Sequence, residues 1–89
     1  MVPADARPRL ARAVRLRHDR VRDRWMLLAP ERGFELHGSA LAIVRLCDGK
    51  RTLAEIAADL GAQAARDVAG DVAAFVDTLV ARGLLEAAP

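Results

Sequence analysis

The chain is poor in several things, and each shortage closes off a class of protein. Its 89 residues include one cysteine (Cys47), two histidines, three aromatics (Trp25, Phe34, Phe75) and no tyrosine. A single cysteine excludes an intramolecular disulfide framework and a cysteine-built zinc site. No apolar run approaches the ~20 residues that a membrane span needs. The N-terminal stretch MVPADARPRLARA lacks the apolar core of a signal peptide. These shortages point to the cytoplasm. There is no phosphate loop, no glycine fingerprint and no metal-ligand spacing, so neither cofactor nor metal is expected. A chain this short, without clustered carboxylates, reads as a binding module rather than an independent enzyme.

What is present is alanine, valine, leucine and arginine. Hydrophobic residues make up 53% of the chain, but 19 of them are alanine, so the core is modest. The length suits one domain. The net charge of +2 is unevenly spread. Residues 1–32 hold nine Arg against four acids, whereas residues 33–89 are net acidic. The basic end allows contact with nucleic acid or an acidic peptide.

Hydrophobic period divides the chain in two. Pro3 and Pro8 discourage regular structure, so residues 1–13 read as a flexible arm. Val14, Leu16 and His18 then alternate with Arg15, Arg17 and Asp19, as in a half-buried strand. Arg24 to Ala29 is apolar on both faces, as in a central strand. Pro30-Glu31-Arg32-Gly33 reads as a turn, with Gly33 tolerating positive φ. Phe34 to His37 alternates again, completing an antiparallel meander. After Gly38 the period lengthens. Ala40, Ile43, Val44 and Cys47 predict a helix over Ser39 to Leu46, with Ser39 as cap and Asp48-Gly49 as stop. Thr52 and Glu55 form a capping box for a second helix, which Gly61 ends. Val68, Val72, Phe75, Val76 and Leu79 predict a third, starting between Ala62 and Asp67 and capped by Gly83. The expected fold is α+β and winged-helix-like: a three-stranded antiparallel sheet followed by three helices, over residues 14–86.

No catalytic constellation is visible. His18 and His37 fall on different strands and read as structural or surface residues. Cys47 lies on an apolar helical stripe and reads as a buried thiol. The last two helices resemble a helix-turn-helix, which makes a winged-helix DNA-binding regulator the alternative function. The segment Arg66 to Arg82 nevertheless carries three Asp against two Arg. Phosphate attraction dominates DNA affinity, so an acidic recognition helix argues against nucleic acid. A different feature is more telling. The third helix has an apolar arc widened by Ala69, Ala73 and Val80. Either it covers both the sheet and the other helices, or it walls a groove against a sheet edge. Of the edges, Phe34 to His37 is the more receptive to an added peptide strand, having no Pro or Lys and only Glu35 as a charge.

The run from Arg7 to Leu60, above all VRLRHDRVRDRWMLLAPER and LCDGKRTLAEIA, with the C-terminal LVARGLLE, resembles the PqqD family of pyrroloquinoline quinone (PQQ) biosynthesis. The likeness spans about residues 7–86, with His37 standing where an Asn cap is expected. It implies a non-catalytic peptide chaperone that binds the precursor PqqA and presents it to the radical SAM enzyme PqqE, which cross-links a Glu and a Tyr of the peptide. It also implies the winged-helix-like fold of a RiPP recognition element, the module that reads the leader of a ribosomally made, modified peptide. Carried over by position, the peptide would lie along Phe34, Glu35, Leu36 and His37, facing Val72, Phe75, Val76 and Leu79. Arg15, Arg17, Arg22 and Arg24 are the candidate enzyme-docking residues. An open edge and a mobile arm would also allow a homodimer.

Overall fold

The computed structural model describes residues 1–88, with side chains through residue 87. Eight elements follow in order: β1 (Arg7–Leu10), β2 (Arg15–Asp19), β3 (Arg24–Ala29), β4 (Arg32–Leu36), α1 (Ser39–Leu46), α2 (Leu53–Ala64), α3 (Ala69–Ala81) and β5 (Leu85–Ala88). The expected meander is there as an antiparallel sheet in the order β2-β3-β4. The three expected helices follow it.

The expected arm is where the reading and the fold part. Residues 7–10 form β1, which pairs antiparallel with β5, Arg7 opposite Ala88 and Leu10 opposite Leu85. Pro8 is tolerated because the strand is short and two-stranded. The chain ahead of β1 does further work. A helix begins with backbone N–H groups that have no intrahelical partner. In α2 all of the first ones are met. Leu53 donates to the Ala6 carbonyl at 2.8 Å and Ala54 to the Ala4 carbonyl at 2.9 Å. Glu55 donates to Thr52 Oγ1 at 3.1 Å, and Thr52 N–H donates back to Glu55 Oε1 at 2.9 Å, the expected capping box. These hydrogen bonds, made mainly by the Thr52 backbone, hold the Glu55 carboxyl below its usual range. Val2 N–H donates to Asp77 Oδ1 at 2.7 Å, and Gly49 N–H to the Pro8 carbonyl at 2.9 Å. Residues 1–10 are thus a strap tied to α2, α3 and the α1–α2 loop. Proline content hid this, because the partner strand lies far along the chain, Leu10 meeting Leu85 and Arg7 meeting Ala88.

Turns depart from expectation in one consistent way: L-residues, not glycines, take several of the left-handed positions. The β3–β4 hairpin closes on the pair Ala29 and Arg32. Its positive φ of 63° falls on Glu31, while Gly33 lies inside β4. Gly61 does not end α2, which continues to Ala64 and is capped by Ala65 at φ 55°. Gly61 is instead a close-approach site, since a Cβ there would meet the Arg66 carbonyl oxygen at 3.0 Å. Ser39 makes no capping bond; Gly38 is the N-cap of α1. α3 starts at Ala69, two residues past the expected range, because Asp67 Oδ1 accepts from Ala69 N–H at 2.9 Å. Gly83 does act as expected. With φ 75° it lets its own N–H reach the Val80 carbonyl and the Leu84 N–H reach that of Leu79, the paired bonds of a Schellman cap. Left-handed geometry costs an L-residue roughly 1–2 kcal/mol, part of which glycine returns as unfolded-state entropy. Glu31→Gly should therefore stabilise the domain by ~0.5–1 kcal/mol and raise Tm by a few degrees in a thermal melt. An unchanged or lower Tm would show that the hairpin gains from the Glu31 side chain.

The core is apolar throughout. Leu27 of β3, Ile56 of α2, Val72 and Val76 of α3, and Leu84 and Leu85 after α3 are fully enclosed. Among the described residues no side-chain polar atom is buried without a partner. Cys47 lies within this core, its Sγ donating to the Ile43 carbonyl at 3.2 Å. Burial, reinforced by the Asp48 carboxylate, pushes its thiol up to about 12. A thiol so rarely ionised is a packing group, not a nucleophile.

Candidate peptide-binding edge

β4 is an edge strand, and its hairpin decides which backbone groups stay open. A two-residue loop closes on a hydrogen-bonded pair, and such pairs alternate with non-bonded ones. Arg32, Phe34 and Leu36 therefore turn their N–H and C=O groups toward β3. Gly33 and Glu35 turn theirs outward. Beyond the strand, the His37 carbonyl is taken by Ala40 N–H at 3.0 Å as α1 begins. The open edge thus consists mainly of the backbone groups of Gly33 and Glu35.

Side chains alternate across the same strand. Leu36 points into the core and is buried. Phe34, on the same face, is half-buried, and the Arg82 guanidinium lies 5.3 Å from its ring centre. Arg32 reaches from the hairpin to the Arg82 carbonyl at 3.1 Å. Together these contacts tie the end of α3 to β4. Glu35 lies on the opposite face, its carboxylate 3.1 Å from Arg24 Nε and 3.6 Å from His37 Nε2. His37 itself is exposed just past the strand.

Of the eight residues expected to meet a peptide, the fold leaves Phe34, Glu35, His37 and Phe75 at least partly open. It encloses Leu36, Val72, Val76 and Leu79 in the core, Val76 completely at 0% exposure. Helical position explains the division. Val72, Val76 and Leu79 face the sheet and α2, while the flanks of α3 look in opposite directions. Ala69 and Ala73 line a depression with Met1 to Ala4, and Asp77 and Val80 another with Met1 to Pro3. The width of the apolar arc therefore comes from the N-terminal strap, which needs a surface to lie on. The other flank carries Asp71, Phe75 and Arg82. Near the α3 N-terminus this side opens into a hollow of about 300 Å³ between Ser39 of α1, Leu60 of α2 and Val68 and Asp71. Arg82 escaped the sequence reading, although it follows Phe75 by seven residues and so shares its side of the helix.

Of the two histidines, His18 is held by structural contacts. His18 stacks on Trp25 with ring centres 4.8 Å apart, and its Nε2 lies 2.9 Å from Asp23 Oδ1. Arg45 approaches the Trp25 ring at 4.6 Å. Among the described residues no three His, Cys, Asp or Glu side chains come together as a metal site would require. No helix described is long and apolar enough to cross a membrane.

A three-stranded antiparallel sheet followed by three helices is the arrangement of a RiPP recognition element. The chain superposes with a TM-score of 0.73 on the solution NMR structure of the PqqD truncation of Methylobacterium extorquens PqqCD, described as a functional, stand-alone element of this kind. The two are 40% identical, over 97% of this chain and 95% of that one. The chain belongs to the family Coenzyme PQQ synthesis protein D (PqqD), which it matches over residues 24–85. The crystal structure of PqqD from Xanthomonas campestris is 41% identical, with a TM-score of 0.55 over 92% of this chain and 94% of that one. Among curated relatives, the PqqA binding protein of Xanthomonas axonopodis pv. citri (strain 306) is 46% identical over 87 residues, covering 94% of this chain and 95% of the relative. That of Xanthomonas oryzae pv. oryzae (strain KACC10331 / KXO85) is 45% identical with the same coverage. The expected family and fold class are borne out, with the β1–β5 pair added.

Proposed function

We propose that this protein is a peptide chaperone of PQQ biosynthesis. It binds the precursor peptide PqqA by strand addition and presents it to the radical SAM enzyme PqqE in the cytoplasm, where ribosomal peptides are made. The observation that carries this reading is the likeness, over 94% of the chain, to proteins named for binding PqqA. The open edge of β4 supports it on physical grounds. Backbone pairing to Gly33 and Glu35 would hold an extended leader, and Phe34 and Phe75 would take its inward side chains. The enclosed Leu36, Val72, Val76 and Leu79 would set the spacing between strand and helix. Arg15, Arg17, Arg22 and Arg24 would meet the enzyme.

The test is a titration of isotope-labelled protein with PqqA, followed by backbone amide shifts. Shifts should concentrate on Gly33 to His37 and on the Asp71–Phe75–Arg82 side of α3. Shifts confined to other elements would remove the edge assignment. Salt-sensitive binding to duplex DNA, with none to the peptide, would favour the winged-helix regulator instead.

A further inference from the structure

Among the described residues no element packs on the outer face of the β2–β3–β4 sheet. Strand register places Arg15 beside Leu28 and Gly33, Arg17 beside Met26 and Glu35, and Asp19 beside Arg24, all on this one face. At its centre Met26 is half-buried and Leu28 is 38% exposed. Gly33 keeps them open, since a Cβ there would stand 3.4 Å from Met26 Cε and 3.5 Å from Leu28 Cδ2. Arg17, Arg20, Arg22 and Arg24 surround them in a shallow depression of about 490 Å³. Val21, 95% exposed, stands at the hairpin tip. Of the five arginines from Arg15 to Arg24, only Arg24 makes an ion pair among the described residues.

An apolar centre ringed by arginine is the make-up of a protein interface. A nucleic-acid backbone offers nothing to cover Met26 and Leu28, and Asp19 and Glu35 would repel it. We propose that this face docks an acidic protein surface bearing one bulky apolar side chain, and that a bound precursor strand completes the docking surface. The second half rests on the function proposed above. Strands lie ~4.8 Å apart, so the three span only about 10 Å. A standard interface covers ~800 Å² per partner, a patch roughly 30 Å across. A partner centred on Met26 must therefore also cover the lane beside β4, where an added strand would lie with its outward side chains next to Glu35. Peptide and partner would each tighten the other's binding by the same factor.

The radical SAM enzyme proposed as partner serves as the probe. Its affinity is measured with and without saturating precursor peptide, for the wild type, Leu28→Glu and Arg17→Glu. The peptide should tighten enzyme binding by roughly fivefold, within the usual range of coupling. Each variant should weaken enzyme binding by about tenfold or more, with peptide affinity and far-UV circular dichroism unchanged. If Leu28→Glu perturbs the fold, Arg17→Glu, at an exposed position, decides. Equal enzyme affinity with and without peptide overturns the shared surface. Wild-type enzyme affinity in the variants overturns the docking face, as does tighter binding of duplex DNA at the same arginines. If PqqA fails to bind the wild type while the variants still lose the enzyme, the peptide reading falls and the docking face stands.

Discussion

Glu35→Pro should abolish most peptide binding while the domain stays folded. The reason is the direction of one N–H group. Glu35 sits at a non-bonded position opposite Met26, so its N–H faces away from β3. Proline there removes a donor from the open edge and places its ring in the path of an incoming strand. The β3–β4 ladder keeps its own bonds, and proline is tolerated in edge strands. What is lost inside the domain is the contact of the Glu35 carboxylate with Arg24 and His37, a surface interaction of small value. Affinity for PqqA, measured calorimetrically, should fall at least about tenfold, the equivalent of ~1.4 kcal/mol. Phe34→Pro provides the contrast: it removes a donor that faces β3 and should destabilise the sheet itself. Full peptide affinity in a folded Glu35→Pro protein would rule out strand addition at β4.

Removal of residues 2–10 should cost the domain a large part of its stability. The strap supplies the carbonyls of Ala4 and Ala6 to the first two N–H groups of α2, and that of Pro8 to Gly49. It also pairs with β5 and covers Leu84 and Leu85, which sit in the core. Each net hydrogen bond contributes about 1 kcal/mol, and an unmet helix-end donor costs at least as much. Uncovered leucine surface adds ~25 cal/mol per Å². The total is on the order of 4 kcal/mol, against roughly 5–15 kcal/mol for a whole domain. Tm should fall by about 15 °C or more. A truncated protein melting within a few degrees of the full chain would show that β1 is an ornament on an independently stable fold.

Most of the sheet-and-helix body was legible because its signals are local. Alternation at Val14 to Asp19 and the run Arg24 to Ala29 depend on neighbours a few residues apart. The capping box at Thr52 and Glu55 and the glycine cap at Gly83 are likewise written within one turn. The strap was not legible, since β1 exists only by virtue of β5 at the other end of the chain. Nothing in RPRL announces a partner in LEAA. The positive φ angles at Glu31 and Ala65 were missed for a related reason. Glycine signals permission for a left-handed residue, but hairpin register and helix length decide where one falls.

The candidate site divides along the same line. The residue types that favour an open edge, Phe34 to His37 without Pro or Lys, are visible in order along the chain. Burial is not, because it depends on what else reaches the same face. Val72, Val76 and Leu79 share one apolar stripe with Phe75, yet only packing against the sheet and α2 separates the three core residues from the half-exposed ring. From the sequence, the shortage of cysteine, histidine and clustered acids gave only the expectation of a binding module. The sequence by itself also determined the central order β2-β3-β4-α1-α2-α3, because period and caps are short-range. Tertiary structure alone decided which apolar residues remain exposed and that the N-terminus is a structural strap. Those depend on contacts between segments that the chain places far apart.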